Sequence, residues 1–451
     1  MKIAYLGAGA AGRYSGACLH DNTLAAAIAR LGEDILLVPT YTPLRTDEEN
    51  VSLSRVFFGG VNVYLQQKSA LFRHTPWFID SVFDSPRLLA WLSRKSSGME
   101  ARQLGELTVS TLQGEHGRQR KELNKLVHWL AEDFRPDVVH LSNSMLAGSA
   151  RQIRQRLGVP IVCGLAGEDI FIESLSEPHY SEARRLLKER ARDIDGFVAL
   201  NQYYADFMAE YLDVPRSRIE VIRHGLKLAG HGTRPPRAGR DDTATTVGYF
   251  ARVAPEKGLH LLIEAFALLC EDQTLPPLRL RVAGYKSAGD EPYYEAIVRR
   301  VEQLGLAERF EYAGELDRAG KIAFLQSLDL MAVPTIYHES KGISVLEAWA
   351  NAVPAVLPAH GTFPEYIEDT RGGLLCEPEN PRSLADKLGE LIRDPARADE
   401  LGLRGQAAVR ERFTAEAMAA THREFYQGLV RGPKGHDGAV TARPAGTVPG
   451  V

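Results

Sequence analysis

Two carboxylates, Glu339 and Glu347, lie eight positions apart on either side of a glycine-containing turn. If a helix begins near Gly342, the free backbone N–H groups of Gly342, Ile343 and Ser344 point at whatever precedes it, and a diphosphate is favoured there. Glu347 then lies about one turn into the helix, where its carboxylate can accept hydrogen bonds from sugar or ribose hydroxyls. This spacing favours a nucleotide-sugar donor site, although a surface loop before an ordinary helix would carry the same acids.

The segment around these acids resembles the donor loop of the retaining GT-B glycosyltransferases, E-G-F-G-x-x-x-x-E-A-x-A-x-G-x-P-V. The chain matches it at Glu339, Gly342, Glu347, Ala348, Ala350 and Pro354. It departs at Ser340 and Lys341, which replace the usual Gly-Phe, and at Ala352, which replaces a glycine. The resemblance implies that Glu339 touches the donor sugar, that the turn amides meet the phosphates and that Glu347 holds the ribose. The departures bear on the choice of sugar more than on the class.

A second matching block lies upstream at residues 247–266, VGYFARVAPEKGLHLLIEAF. It predicts a strand, a Pro-Glu-Lys-Gly turn and an amphipathic helix. In the resembled family the Arg and Lys of this G-R-x-x-x-x-K-G pattern clamp the pyrophosphate, which implies that role for Arg252 and Lys257. Fixed cations suit the reaction because breaking a glycosidic phosphate ester leaves negative charge on the departing diphosphate. Gly284, at the end of a later predicted strand, is also expected at the donor site.

Short apolar runs alternate with helical patterns along the chain, which is typical of parallel α/β sheets. The predicted strands are IAYLGAG, DILLVPTY, DVVHLSN, PIVCGL, GFVALN and RIEVIRHGL in the first half, and TVGYFARV, LRLRVAGY, RFEYAGE, DLMAVPT and PAVLPA in the second. The resemblance implies two Rossmann-like domains facing a cleft, the GT-B fold. We expect an acceptor-side domain at 1–228, a linker at 229–245 and a donor domain at 246–411. Residues 412–431 are expected to form a helix that crosses back to the first domain, and 432–451 a disordered tail.

Residues 7–12 follow the first predicted strand and read GAGAAG, a literal G-x-G-x-x-G. A dinucleotide fold would also need an acid at the end of the next strand, where the chain has Pro39 and Thr40. Glycines in such a turn also let an acceptor or a diphosphate approach the backbone closely. The resembled family has Gly-Gly in this loop, and a Ser-Gly pair ending at Gly16 takes its place here. We therefore predict that Gly12 and Gly16 lie on the acceptor side of the cleft.

The segment at residues 160–175 is similar to a strand and loop of the same family that usually carries a His in contact with the donor sugar. This chain has Ala166 at that place, followed by Gly167, Glu168 and Asp169. Either Glu168 or Asp169 supplies the polar contact, or the sugar is held mainly by Glu339. An equally simple interpretation is that the two acids cap the next helix.

Asp193-Ile-Asp195 is a D-x-D pattern of the kind that binds a divalent metal in another glycosyltransferase fold. It falls between a predicted helix and a predicted strand, so capping and turn roles explain it better. We therefore predict no metal site and no cofactor other than the nucleotide-sugar substrate. His140, His224 and His360 each lie alone near a strand end, and structural roles are predicted for them.

The chain has 451 residues and a net charge of −4, so its length favours two or three domains and its charge gives no indication of nucleic-acid binding. Its four cysteines lack metal-ligand or disulfide spacing, which fits a reducing cytosol. The start MKIAYLGAG predicts a strand rather than a signal peptide, and the chain lacks a run of about 18 apolar residues that would span a bilayer. A cytoplasmic location is therefore predicted.

Residues 55–95 combine six basic and two acidic residues with interleaved aromatic residues. Aromatic rings and long cationic side chains suit a membrane–water interface. This segment could therefore lie peripherally on the inner face of a membrane, or form an acceptor groove. The alternative is that the aromatic residues belong to the core.

These patterns together predict a retaining, metal-independent glycosyltransferase, as in polysaccharide or cell-envelope biosynthesis. It would transfer a sugar from a nucleotide-diphosphate sugar to a glycan, a lipid-linked acceptor or a small molecule. One alternative is a non-catalytic nucleotide-sugar-binding or scaffold protein, which Ala166 brings into consideration. Another is a related GT-B epimerase or sugar synthase. Donor hydrolysis without acceptor would favour an enzyme, whereas tight binding without turnover would favour the scaffold.

Overall fold

The described part of the chain covers most of both predicted domains. The computed structural model describes residues 1–9, 15–53, 56, 101–232 and 244–432. Gly12 and the aromatic-basic segment 55–95, apart from Val56, lie outside these residues, as do most of the predicted linker and the predicted tail beyond Gly432. What the sequence predicts for those parts stays a prediction. Within the described residues, no helix is long and apolar enough to cross a membrane.

The first half of the described chain forms a six-stranded parallel sheet flanked by helices. Its strands are β1 (Lys2–Gly7), β2 (Asp34–Pro39), β3 (Val138–Leu141), β4 (Ile161–Gly164), β5 (Gly196–Ala199) and β6 (Ile219–Val221). Its α-helices are α1 (Gly16–Arg30), α2 (Ala101–Leu112), α3 (Arg120–Trp129), α4 (Ala150–Leu157), α5 (Asp169–Glu173), α6 (His179–Arg190) and α7 (Gln202–Leu212). The strand order is β2-β1-β3-β4-β5-β6. Strands β3 and β5 are buried at every position, as expected for a parallel sheet that is covered on both faces.

The second half repeats this architecture. Its strands are β7 (Thr245–Phe250), β8 (Leu278–Ala283), β9 (Phe310–Tyr312), β10 (Leu330–Ala332), β11 (Ala355–Pro358) and β12 (Gly373–Cys376). Its α-helices are α8 (Leu259–Glu271), α9 (Glu291–Gln303), α10 (Arg318–Gln326), α11 (Ile343–Ala350), α12 (Phe363–Thr370), α13 (Pro381–Arg393), α14 (Pro395–Arg412) and α15 (Ala415–Arg431). The parallel strands are ordered β12-β11-β10-β7-β8-β9.

Two parallel sheets covered by helices confirm the predicted α/β class with two Rossmann-like domains. Each predicted strand lies on one of the first eleven strands. Strand β12 was not predicted, because its four residues, GLLC, form too short an apolar run beside the predicted helices. The amphipathic helix predicted after the Pro-Glu-Lys-Gly turn is α8, and the apolar face predicted for it is fully buried.

Two chain segments cross between the domains and pair with each other. The amide of Leu226 donates to the Phe413 carbonyl over 2.8 Å, and the amide of Ala415 donates back to Leu226 over 3.0 Å. After this crossing, α15 packs against α1 of the first domain. Met418 and Tyr426 of α15 belong to the same buried cluster as residues of β1 and α1. The last described helix therefore completes the core of the first domain.

Four histidines form a buried cluster between β3, α1, α15 and the loop after β6. The Nδ1 atoms of His20 and His224 lie 2.9 Å apart, and the rings of His140 and His422 are 6.0 Å apart. His140 also stacks on Tyr5, with 4.4 Å between ring centroids. The expectation that His140 and His224 each lie alone was therefore wrong. Their neighbours come from segments that are far apart in sequence, so the pattern of single histidines gave no sign of the cluster.

This cluster predicts that the protein loses stability in mild acid. Burial lowers the pKa of all four histidines, to about 3 for His224 and about 4 for His422. Below pH about 6.5 the unfolded chain therefore binds protons that the folded chain excludes, and each histidine removes up to about 1.4 kcal/mol of unfolding free energy per pH unit. Asp21 opposes this, because burial raises its pKa to about 7. We expect a net loss on the order of 3 kcal/mol between pH 7.5 and 5.5.

Denaturant unfolding at the two pH values measures this loss. His422→Gln should make the acid dependence shallower. His116→Gln is the matched control, because the His116 side chain is 75% exposed and its removal should leave the acid dependence unchanged. Equal unfolding free energies of the wild-type protein at both pH values would contradict the assignment.

Candidate active site

Two helix N-termini meet where the domains face each other. Helix α11 begins after Gly342, which has φ +59° and offers no side-chain cap. Helix α1 begins after Ser15, whose hydroxyl accepts a hydrogen bond from the Cys18 amide at 3.1 Å. The helices come close at their first residues, because a Cβ atom at Gly16 would lie 3.1 Å from the side chain of Ile343. Free N–H groups and helix dipoles at this point favour an anion between the domains.

Gly342 is required by the conformation of its turn. A side chain there would be strained at this positive φ. Its Cβ would also lie 3.0 Å from the ring of Tyr366 and 3.2 Å from that of Phe363. The predicted helix start near Gly342 is confirmed, and it leaves the amides of Ile343 and Ser344 in the first turn of α11.

Lys257, Tyr337 and Glu339 form a compact charged group beside this turn. Lys257 Nζ lies 2.6 Å from Glu339 Oε2 and also contacts the Tyr337 hydroxyl. The Tyr337 hydroxyl donates to the same carboxylate oxygen over 2.7 Å. Burial by itself would raise the pKa of Glu339, but the charge and hydrogen bond of Lys257, with the Tyr337 hydrogen bond, lower it to about 2. Glu339 is therefore an ionised carboxylate held against a cation, and Tyr337 is a member of the site that the sequence did not indicate.

Arg252 and Gly284 follow the neighbouring strands β7 and β8, on the same edge of the sheet. The Arg252 side chain is 46% exposed and pairs with Glu256. Gly284 has φ +144°, and a Cβ atom there would lie 1.8 Å from the carbonyl oxygen of Ala251, so only glycine fits. The hydroxyl of Tyr312 donates to the Gly284 carbonyl over 2.9 Å. The sheet thus brings both predicted residues to the carboxyl ends of its strands, where open α/β sheets bind ligands.

Glu347 is engaged by a second buried lysine. Lys321 of α10 places its Nζ 2.5 Å from Glu347 Oε1, and the same ammonium pairs with Asp47 of the first domain. The three side chains are almost completely buried. Burial raises the pKa of Glu347, while the charge and hydrogen bond of Lys321 act in the opposite direction. The sequence pattern did not indicate either partner, because Lys321 and Asp47 lie outside the donor motif.

The two acids predicted on the first-domain side hold the loop after β4. Glu168 accepts the amides of Ser144 at 3.0 Å and Ala166 at 2.6 Å, one with each carboxylate oxygen. Asp169 accepts the Tyr204 hydroxyl at 2.6 Å. Neither acid caps α5, whose N-terminus has no side-chain hydrogen bond, so the capping interpretation was wrong. Both carboxylates instead hold the loop and α7 in place within the first domain. Toward the second domain, this loop presents the Ala166 carbonyl, which accepts a hydrogen bond from Lys341 Nζ.

Further contacts between the domains close the cleft. The side-chain amide of Asn201 donates to the Ser340 carbonyl over 2.7 Å. Glu365 accepts the amides of Gln202 and Tyr203 at the N-terminus of α7, at 3.1 Å each. The two residues of each contact are 139 to 163 positions apart in sequence. No sequence motif indicated that they would be in contact.

The two aspartates of the D-x-D pattern bind arginine side chains and a backbone amide. Arg151 pairs with Asp193 at 3.0 Å, and Arg154 pairs with Asp195 at 2.6 Å. The second oxygen of Asp195 accepts the Ile161 amide at 2.8 Å. In the parts of the chain that the structure describes, no group of three or more His, Cys, Asp or Glu side chains is arranged to hold a metal ion. The pattern therefore has a structural explanation in the first domain.

Two facing Rossmann-like domains with two helix N-termini meeting between them make up the GT-B fold. The family model described as "Glycosyl transferases group 1" matches residues 233–408, and that described as "Glycosyl transferase 4-like domain" matches residues 22–225. The chain therefore belongs to the group 1, GT4-type glycosyltransferases, which are enzymes. The family membership that the motifs around Glu339 and Lys257 indicated is confirmed.

Several known proteins are similar over much of their length. The D-inositol 3-phosphate glycosyltransferase of Segniliparus rotundus is 27% identical over 67% of this chain and 68% of its own. The glycogen synthase of Mycobacterium tuberculosis is 27% identical over 67% of this chain and 71% of its own. Among solved structures, Anabaena HepE in complex with UDP superposes with a TM-score of 0.66 at 20% identity, over 95% of this chain and 100% of that one. At 20% identity, this structural similarity shows a shared fold only.

Proposed function

We propose that this glycosyltransferase moves a sugar from a nucleoside diphosphate sugar to an acceptor, with retention of anomeric configuration and without a metal ion. The observation that carries the proposal is the meeting of the α1 and α11 N-termini beside the buried Lys257–Glu339 pair. The uncapped amides of α11 and a lysine at one point suit the developing charge of a diphosphate leaving group. The retaining outcome follows the resemblance and is checked by the anomeric configuration of the product.

The diphosphate would be met from three directions. The amides of Gly342, Ile343 and Ser344 supply the first, and the N-terminus of α1 the second. Lys257 and Arg252 supply the third, and each is now paired with a carboxylate. A diphosphate carries more charge than one carboxylate, so it would compete for both cations and draw them toward the leaving group.

The two acids of the donor motif would hold opposite ends of the donor. Glu339 precedes the phosphate-binding turn and is ionised, so it can accept hydrogen bonds from sugar hydroxyls. Glu347 lies after the first turn of α11, where it can accept the ribose hydroxyls if Lys321 shares the carboxylate. HepE was solved with UDP, which supports uridine diphosphate sugars as the first donors to test.

A donor screen under chelation tests the whole proposal. Calorimetric titration with UDP, GDP and ADP in excess EDTA should show that the protein binds one of them. In a separate assay, the protein should slowly hydrolyse the corresponding nucleotide sugar. Turnover should be unchanged by the chelator, because lysine, arginine and amides meet the phosphate charge. A strict requirement for Mg²⁺ or Mn²⁺ would make Asp193 and Asp195 candidates again. Tight donor binding with no turnover would favour the non-catalytic scaffold.

The acceptor is proposed to be a glycan, a lipid-linked molecule or a small molecule. One relative is named for D-inositol 3-phosphate and another as a glycogen synthase, so a phosphorylated polyol and a glucan are the first acceptors to try. The aromatic-basic composition of residues 55–95 supports peripheral contact with an anionic membrane. Failure to co-sediment with vesicles that contain anionic lipid would remove that part of the proposal.

A further inference from the structure

Lys341 reaches across the cleft from the donor domain into the first domain. It stands where the resembled loop has a phenylalanine. Its Cε lies 3.9 Å from the position of a Cβ atom at Gly16, and its Nζ lies 3.6 Å from that position at Gly167. The ammonium donates to the Ala166 carbonyl. A cation therefore lies between the α1 N-terminus and the loop after β4.

The acids near this ammonium are engaged elsewhere. Glu339 is bonded to Lys257 and Tyr337, and both oxygens of Glu168 accept backbone amides. Asp21 accepts the Tyr5 hydroxyl at 2.8 Å. Among the described residues, none of these carboxylates pairs with Lys341 within 4.0 Å, and its Nζ donates to a neutral carbonyl. Burial lowers the pKa of Lys341, and the more distant charges of Glu339, Glu168 and Asp21 oppose this only in part, so an anionic ligand in direct contact would offset the remaining cost of burying the ammonium.

Lys341 also lines a pocket in the first domain. The pocket lies at the carboxyl ends of β3, β4 and β5, and its lining is more apolar than polar, with polar side chains from His20, Asp21 and Ser142. Burial raises the pKa of Asp21 to about 7, so this acid is partly protonated near neutral pH and repels an anion less than an ordinary aspartate would. The pocket thus combines an ammonium, a hydroxyl and a weakly ionised acid.

We propose that Lys341 is a specificity-determining residue whose ammonium binds an anionic group, a carboxylate or a phosphate ester, carried by the transferred sugar or by the acceptor. The proposal rests on the proposed function and names a substrate class for it. The diphosphate is not the assigned partner, because Lys257, Arg252 and the helix amides already face it and Lys341 extends past them to the first-domain loop. On substrate binding, the ammonium exchanges the Ala166 carbonyl for the anionic group.

Matched substrate pairs test the assignment and separate its two sources. UDP-glucose and UDP-glucuronate differ in one group, a hydroxymethyl against a carboxylate at C6. Inositol and inositol 3-phosphate, each offered with UDP-glucose, differ in one phosphate. If the donor screen selects guanine, GDP-mannose and GDP-mannuronate replace the first pair. We expect the wild-type enzyme to prefer the acidic member of one pair, on the order of 10-fold in kcat/KM.

Variants then attribute the preference to Lys341. Lys341→Met keeps the aliphatic stem and should abolish the preference, whereas Lys341→Arg keeps the charge and should retain most of it. Lys387→Met on α13 is the matched control, because Lys387 pairs with Glu390 there and should leave the preference unchanged. Circular dichroism establishes that each variant is folded.

Three results would overturn the assignment. If Lys341→Met keeps the wild-type preference, or if the wild-type enzyme shows no preference, Lys341 only supports the contact between the domains. If Lys341→Met lowers the affinity for free UDP as much as for the acidic donor, Lys341 is a third diphosphate cation. None of these results affects the proposed function, which fails separately if the wild-type protein binds none of UDP, GDP and ADP.

Discussion

Lys257→Ala should lower nucleoside diphosphate affinity and turnover together, by about 2 to 4 kcal/mol in transition-state terms. In the structure this lysine is mostly buried and lies 2.6 Å from Glu339. Its removal takes away a cation that we propose faces the diphosphate, and it also leaves the buried Glu339 carboxylate without its ion-pair partner. Both effects act on the donor site, so ground-state binding and the chemical step should suffer together. Calorimetry with the diphosphate and steady-state kinetics with the donor measure the two losses.

The control for this prediction is Lys387→Ala. Lys387 belongs to the same domain, lies away from the cleft and pairs with Glu390, so its removal should change neither the diphosphate affinity nor the turnover. Lys257→Arg should recover part of the diphosphate affinity, because it restores the positive charge. Wild-type kinetics in a folded Lys257→Ala protein would show that the charge of the leaving group is met elsewhere.

The second large effect should separate Glu339 from Glu347. Losing a carboxylate that accepts ligand hydroxyls leaves those hydroxyls poorly satisfied in a closed cleft, at a cost of about 1 to 3 kcal/mol. Glu347→Ala should therefore weaken the binding of the free nucleoside diphosphate and of the sugar donor alike. Glu339→Ala should leave diphosphate binding nearly intact and impair sugar transfer. Calorimetry of both variants with diphosphate and with intact donor makes the comparison.

Each of these acids also pairs with a lysine, so a matched variant is needed. Lys321→Met removes the buried partner of Glu347 but keeps the carboxylate. If Glu347 holds the ribose directly, Lys321→Met should cost less diphosphate affinity than Glu347→Ala. Equal losses of diphosphate affinity in Glu339→Ala and Glu347→Ala would mean that the two roles are wrongly assigned.

The sequence predicted the elements and the donor loop because both depend on local patterns. Apolar runs of strand length located eleven of the twelve described strands, and the glycine before an apolar helical pattern located the start of α11. Arg252, Lys257 and Glu339 were identified through the family resemblance, and the structure places them after the carboxyl ends of the neighbouring strands β7 and β10.

What the sequence did not predict depends on long-range contacts. Tyr337 and Lys321 are ordinary residues until the fold places them on Glu339 and Glu347. Glu168 was predicted at the cleft, but a carboxylate next to unsatisfied loop amides is bound by those amides first. The grouping of His140 with His422 likewise requires α15 to return across the molecule. Contacts between residues so far apart produce no periodic pattern in the sequence from which they could be predicted.

The return of α15 also has a consequence for how the chain folds during synthesis. His140 and Tyr426, whose side chains lie 2.6 Å apart, are separated by 286 residues. Domains are made N-terminal first, and contacts between distant residues form late because a long loop must close. The surface of β1 and α1 that α15 covers therefore stays exposed while the whole second domain is being synthesised. Until then the first domain lacks the helix that covers this apolar surface, and an exposed apolar surface of this kind favours aggregation.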